Sequence, residues 1–182
     1  MKLCRTMMQI LAISMTFAAN LLLAEEHRQW KNLTEQSGCL VSAADADFSL
    51  EGSIFSKADW QQFFESARRD RKIFHLVVSR FSSERPTRIH ICNFKNAAEG
   101  EVAVFAAQQI IGENWYSYNG NDDRLRQIAK KKVAAKSQLL KEVLPDEKLC
   151  SVLQKYFMER YRSKFRSAAG DETDLNFGRA GR

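Results

Sequence analysis

Beyond the N-terminal segment, the side chains best suited to nucleophilic or metal chemistry are His27, His75, His90, Cys39, Cys92 and Cys150. His90 and Cys92 lie two apart in a run that alternates like a strand, so both leave the same face. A Cys-His nucleophile pair would need the ring turned onto the sulfur and a third group to orient it. Neighbours on a strand point outward in parallel instead, and no acidic orienter is evident. His75, on the facing arm of the same predicted hairpin, would be the third member of a metal site built there. The carboxylates Asp45, Asp47 and Glu51 cluster at a predicted strand entrance. Asp47 and Glu51 share a face, but one flank of a strand is badly placed to straddle a glycosidic bond. No catalytic residue, metal ligand or cofactor is therefore assigned.

Asn114 to Asn121 alternates aromatic planes with amides and hydroxyls. Trp115, Tyr116, Tyr118 and Asn119 form the candidate binding segment. They offer ring faces for stacking and polar groups for hydrogen bonds to a glycan or a protein. The competing reading is an edge strand with core aromatics, closed by a turn at Asn119-Gly120.

The formal charge is +6, and the basic excess sits in the C-terminal third. Lys130, Lys131, Lys132 and Lys136 make a candidate basic face for an anionic headgroup or envelope polymer. A solvated helix face accounts for the same charge. No nucleic-acid-binding motif accompanies it, which argues against a nucleic acid partner.

Positioning these groups falls to a series of periodic segments. Phe48 to Ile54 alternates as a half-buried strand. Ser56 offers an N-cap to a helix carrying Trp60, Phe63, Phe64 and Ala67 and running to about Arg69. Ile73 to Arg80 and Thr87 to Phe94 are β-rich runs, read as a hairpin. A helix from Asn96 is stopped by Gly112, and Asn114 to Asn119 suits a further strand. The order β-α-β-β-α-β predicts an α+β fold with a ferredoxin-like antiparallel sheet. Two more helices follow, one from Asp122-Asp123 that buries Leu125, Ile128, Ala129 and Val133 and ends or bends before Leu144-Pro145, and one from Pro145-Asp146.

At the N-terminus, Lys2 and Arg5 precede an apolar stretch from Ile10 to Ala24, and Glu25-Glu26 then restores charge. This is the layout of a secretory signal, shorter than a spanning helix, with cleavage placed after Ala24. The organisation expected is a signal peptide at 1–24, an arm or short helix at 25–45, one domain at 46–166 and a disordered tail at 167–182. An oxidising compartment favours pairing two of the remaining cysteines. Strand-like surroundings favour Cys39 with Cys92, leaving Cys150 as a buried thiol. Asn32-Leu33-Thr34 is a glycosylation acceptor in a eukaryotic host.

The functional expectation is an exported protein, periplasmic or secreted, acting as a non-enzymatic binding module for a protein or glycan of the envelope or extracellular space. The alternatives are a peripheral membrane protein held by the basic face and a small hydrolase using His90.

Overall fold

The computed structural model describes residues 24–40, 52–91, 95–132 and 136–165. The described residues are mainly helical with one small mixed sheet, which corrects the expected ferredoxin-like sandwich. In chain order the elements are helix α1 (24–34), β1 (Gly38–Leu40), α2 (Ala58–Arg69), α3 (Arg71–Ser79), β2 (Pro86–Ile91), β3 (Lys95–Ala98), α4 (Glu99–Ile111), α5 (Asp123–Lys130), α6 (Leu140–Val143) and α7 (Glu147–Phe165).

The sheet order is β1-β2-β3. β1 runs parallel to β2, pairing Gly38 with Ile89 and Leu40 with Ile91. β2 is antiparallel to β3, with a register shift between Pro86 and His90. As the alternation predicts, Thr87, Ile89 and Ile91 face inward while Arg88 and His90 face outward. Parallel partners need a long crossover, and here α2 and α3 lie between β1 and β2.

Two predicted strands are not strands, and a third falls largely outside the described residues. Ser53 caps a short 3-10 turn, Ile54–Ser56, through a bond from the Phe55 N–H at 3.2 Å; the predicted Phe48 to Ile54 strand otherwise falls largely outside the described residues. Ser56 belongs to that turn and does not cap α2, which nevertheless buries the predicted stripe Trp60, Phe63, Phe64 and Ala67. The first of the two, Ile73 to Arg80, is helical as part of α3, with Arg80 as its C-cap. The carboxylate of Asp70 accepts the Lys72 N–H at 2.7 Å and so caps this helix directly after α2 ends. Its β-branched residues read locally as strand, but Ile73, Phe74, Leu76, Val77 and Val78 all enter the core, and packing overrides propensity.

The other is Asn114 to Asn119, which forms a 3-10 turn at Trp115–Ser117. Such a turn has three residues per revolution, which brings Trp115 and Tyr118 onto one side. Both are buried, and the side-chain oxygen of Gln108 accepts the Trp115 N–H at 2.9 Å. β3 occupies the predicted start of α4, so that helix begins at Glu99 and not at Asn96. Gly112 stops it with φ 66°, a left-handed conformation natural to glycine.

Of the two expected C-terminal helices the second is present as α7, while the first, expected to reach Leu144-Pro145, is divided among the described residues into α5, a 3-10 turn and α6. Asp122 caps α5 through the Leu125 N–H, and Asp146 accepts the Leu149 N–H at the head of α7. α5 ends at Lys130, a 3-10 turn at Lys136–Leu139 follows, and the predicted core residue Val133 lies outside the described residues. Upstream of β1, α1 contributes Trp30 and Leu33 to the common core. No helix among the described residues is long and apolar enough to cross a membrane.

Candidate functional site

The polar chemistry of the described residues concentrates at the head of α4. Glu99 and Glu101 are buried there, and among the described residues they are the only charged side chains that are. The Trp30 indole N–H donates to Glu99 Oε1 at 2.7 Å, and the Ser83 hydroxyl donates to Oε2 at 2.5 Å. Arg85 donates to both oxygens at 3.2 Å and to Thr34 Oγ1 at 2.7 Å. The backbone repeats the link, with Glu99 N–H bonded to Arg85 O at 2.8 Å and Gly100 N–H to Ser83 O at 2.9 Å.

Beside this network, Lys95 Nζ donates to both oxygens of Glu101, at 3.0 and 2.8 Å. Glu101 Oε2 also accepts the Ala98 N–H at 2.8 Å, closing the first turn of α4. Acidic side chains at a helix N-terminus complement its dipole, which is the local reason for a Glu-x-Glu start. Burial alone pushes the Glu99 carboxyl up, but the bonds from Ser83 and Trp30 and the charge of Arg85 outweigh it and hold the group below its ordinary 4.5. Glu99 is thus a fixed anion. A general base works best with a pKa near the operating pH, so Ser83 gains no activation from it.

A cleft of about 140 Å³ opens against these residues. Phe81, Leu140 and Leu144 supply apolar wall, while Ser83, Lys95, Glu101 and Lys141 supply polar wall together with Glu84. It is smaller than the 300–1,000 Å³ typical of sites for drug-sized ligands. Behind it α4 and the 81–85 turn are in close contact, because a Cβ on Gly100 would come within 2.3 Å of Phe81 O; only glycine permits that approach.

The residues singled out from sequence are dispersed. Trp115 and Tyr118 are core residues, Tyr116 is half-buried and Asn119 is exposed, so the segment presents no row of open rings. Lys130 and Lys132 are exposed. Lys131 pairs with Glu142 at 2.6 Å. Lys136 donates to Ala129 O at 3.0 Å and Lys131 O at 2.6 Å, and lies 5.4 Å from the Tyr116 ring centre. Further along, Lys164 donates to Ile111 O at the end of α4, and Arg160 pairs with Glu113.

His75 lies exposed on α3, so the hairpin that was to place it opposite His90 does not exist; His90 is exposed on β2. His27 Nδ1 is 2.6 Å from Arg80 Nη2. Among the described residues no group of three His, Cys, Asp or Glu gathers as a metal site. Cys92, Asp45, Asp47 and Glu51 lie outside the described residues. Cys39 is disulfide-bonded, and the other described cysteine, Cys150, is a buried free thiol.

The head of α4 was not picked out from sequence. Glu99-Gly100-Glu101 ahead of an apolar run signals a helix start, but nothing local says that both carboxylates are buried. No protein-family model matches the chain, and neither a curated protein nor a solved structure matches it.

Proposed function

We propose that this chain is an exported, non-enzymatic binding module that holds a protein or glycan partner in the envelope or extracellular space. The observation that carries the reading is the disulfide at Cys39. Structural disulfides persist in oxidising compartments and are rare where thiols are kept reduced. The charged, apolar and charged layout of residues 1–26 supports the same destination, with cleavage after Ala24. Such a cut spares Trp30 and Leu33, which α1 places in the core. Cys92 is the partner proposed for Cys39: Cys150 is free, and Cys92 follows two residues after His90, which pairs with Cys39 across the sheet. Binding, as opposed to turnover, fits a buried carboxylate held ionised by its partners.

The test is the non-reduced intact mass of the native protein in separated cytosol, envelope and medium fractions. A soluble periplasmic or secreted species lacking residues 1–24 and two hydrogens is the expected result. A full-length, fully reduced chain in the cytosol would overturn the reading.

A further inference from the structure

We infer that the cleft at the head of α4 is a binding site for a short aliphatic carboxylate, an inference that rests on the binding-module reading and names the chemistry its site would take. Its first support is where the charges are. Burying a charge costs free energy that pairing does not recover relative to apolar packing, so buried ion pairs are weak sources of stability. The two buried charges of the described residues nevertheless both border this one cleft, Glu101 directly and Glu99 through Ser83.

Preorganisation is the second support. Hydrogen bonds from Glu99 and Gly100 to the backbone of the 81–85 turn, and the close approach that Gly100 permits, tie α4 to that turn before any ligand arrives. A site formed in advance loses less freedom on binding.

Charge and size select the ligand. Both oxygens of Glu101 are already engaged by Lys95 and the Ala98 N–H, which leaves little for an incoming cation. Donor capacity remains on Lys95, whose side chain is 40% exposed, and on Lys141, which has no ion pair among the described residues. An ammonium carries three N–H groups, so Lys95 keeps a proton to give after serving Glu101. The exposed carboxylate of Glu84 opposes an anion there, which limits the ligand to a single negative charge. The wall of Phe81, Leu140 and Leu144 and the volume of about 140 Å³ suit an aliphatic tail of a few carbons. Such a group is either a free short-chain acid or the C-terminal residue of a peptide.

The experiment is a titration of the intact, oxidised, ¹⁵N-labelled protein followed by amide NMR, with isovalerate, its uncharged amide isovaleramide, and N-acetyl-leucine as probes. Saturable shifts at Ser83, Lys95, Ala98 and Leu140 with isovalerate are expected. Isovaleramide should bind about tenfold more weakly, the factor that corresponds to ~1.4 kcal/mol. Tighter binding of N-acetyl-leucine than of isovalerate marks a peptide terminus as the source, and weaker binding marks a free acid. Lys141→Ala, at an exposed position, should weaken isovalerate several-fold without loss of fold; Lys95→Met should weaken it further but strands Glu101, so Lys141 decides. The inference is overturned if isovalerate gives no saturable shift, if its shifts lie away from the cleft, or if isovaleramide or the Lys141 variant binds as well as the parent pair. Such a failure leaves the exported-module reading standing, whereas an unprocessed cytosolic chain removes that reading whatever the cleft binds.

Discussion

Trp30 on α1 donates its indole N–H to Glu99 on α4 across 69 residues of sequence. The bond lies inside the core, where Trp30 also meets Trp60 edge-on with ring centres 5.9 Å apart. It fastens the first described helix to the central one, and Arg85 and Thr34 close the same junction from the other side.

Trp30→Phe keeps an aromatic ring in the core and removes the donor. A buried acceptor that loses a partner costs roughly 1–3 kcal/mol, so the urea midpoint should fall by the equivalent amount with an unchanged slope. An unmoved midpoint would mean that Glu99 is adequately held by Ser83 and Arg85.

Glu99 also predicts a pH dependence. Its folded carboxyl titrates below the ordinary value of 4.5. Where the folded value is depressed, the unfolded chain takes up the proton first. The stability that Glu99 confers is therefore present above the unfolded pKa and is lost as pH falls through the folded one. Denaturation measured from neutrality down through pH 4.5 should show the parent losing stability more steeply than Glu99→Gln in the acid range. Parallel curves for the two proteins would contradict this assignment.

Gly100→Ala separates helix propensity from packing. In an open helix the change would stabilise by up to ~1 kcal/mol. Here the added Cβ would sit 2.3 Å from Phe81 O and 3.0 Å from Ser83 O, both rigid backbone atoms. Overpacking of this kind typically costs about 1–3 kcal/mol, so the thermal midpoint should drop. A rise in midpoint would show that the 81–85 turn moves aside freely.

Cys150 provides a probe of opening. Burial pushes its thiol up to about 11, which leaves almost no thiolate near neutrality. Since the thiolate is the reactive form, iodoacetamide should label Cys150 only on the timescale of unfolding, with denaturant raising the rate sharply. Labelling of the native protein as fast as that of a free peptide thiol would place Cys150 outside the core.

The site was less legible than the helices, and the reason differs from place to place. α2, α5 and α7 declare themselves because Trp60-Phe63-Phe64-Ala67, Leu125-Ile128-Ala129 and Leu149-Leu153-Tyr156-Phe157 repeat at helical spacing behind acidic starts. Gly112 announced the end of α4 through a conformation that few other residues adopt. By contrast, Ile73 to Ser79 satisfies both a buried strand and a buried helix, since nearly every position is apolar. The cleft draws on the 81–85 turn, β3, α4 and α6, which no local pattern associates.

From the sequence alone came the amphipathic helices, the inward alternation of β2, the α4 stop and the charge asymmetry, because each is written in the spacing of neighbouring residues. Tertiary structure decided that Ile73 to Ser79 is a helix packed against α2, α4 and α7, that β1 adds in parallel to β2, and that Trp115 and Tyr118 serve the core. It also decided that Glu99 and Glu101 are buried with Arg85 and Lys95 as their counter-charges. Desolvation and pairing depend on which distant atoms surround a side chain, and short-range periodicity carries no record of those neighbours.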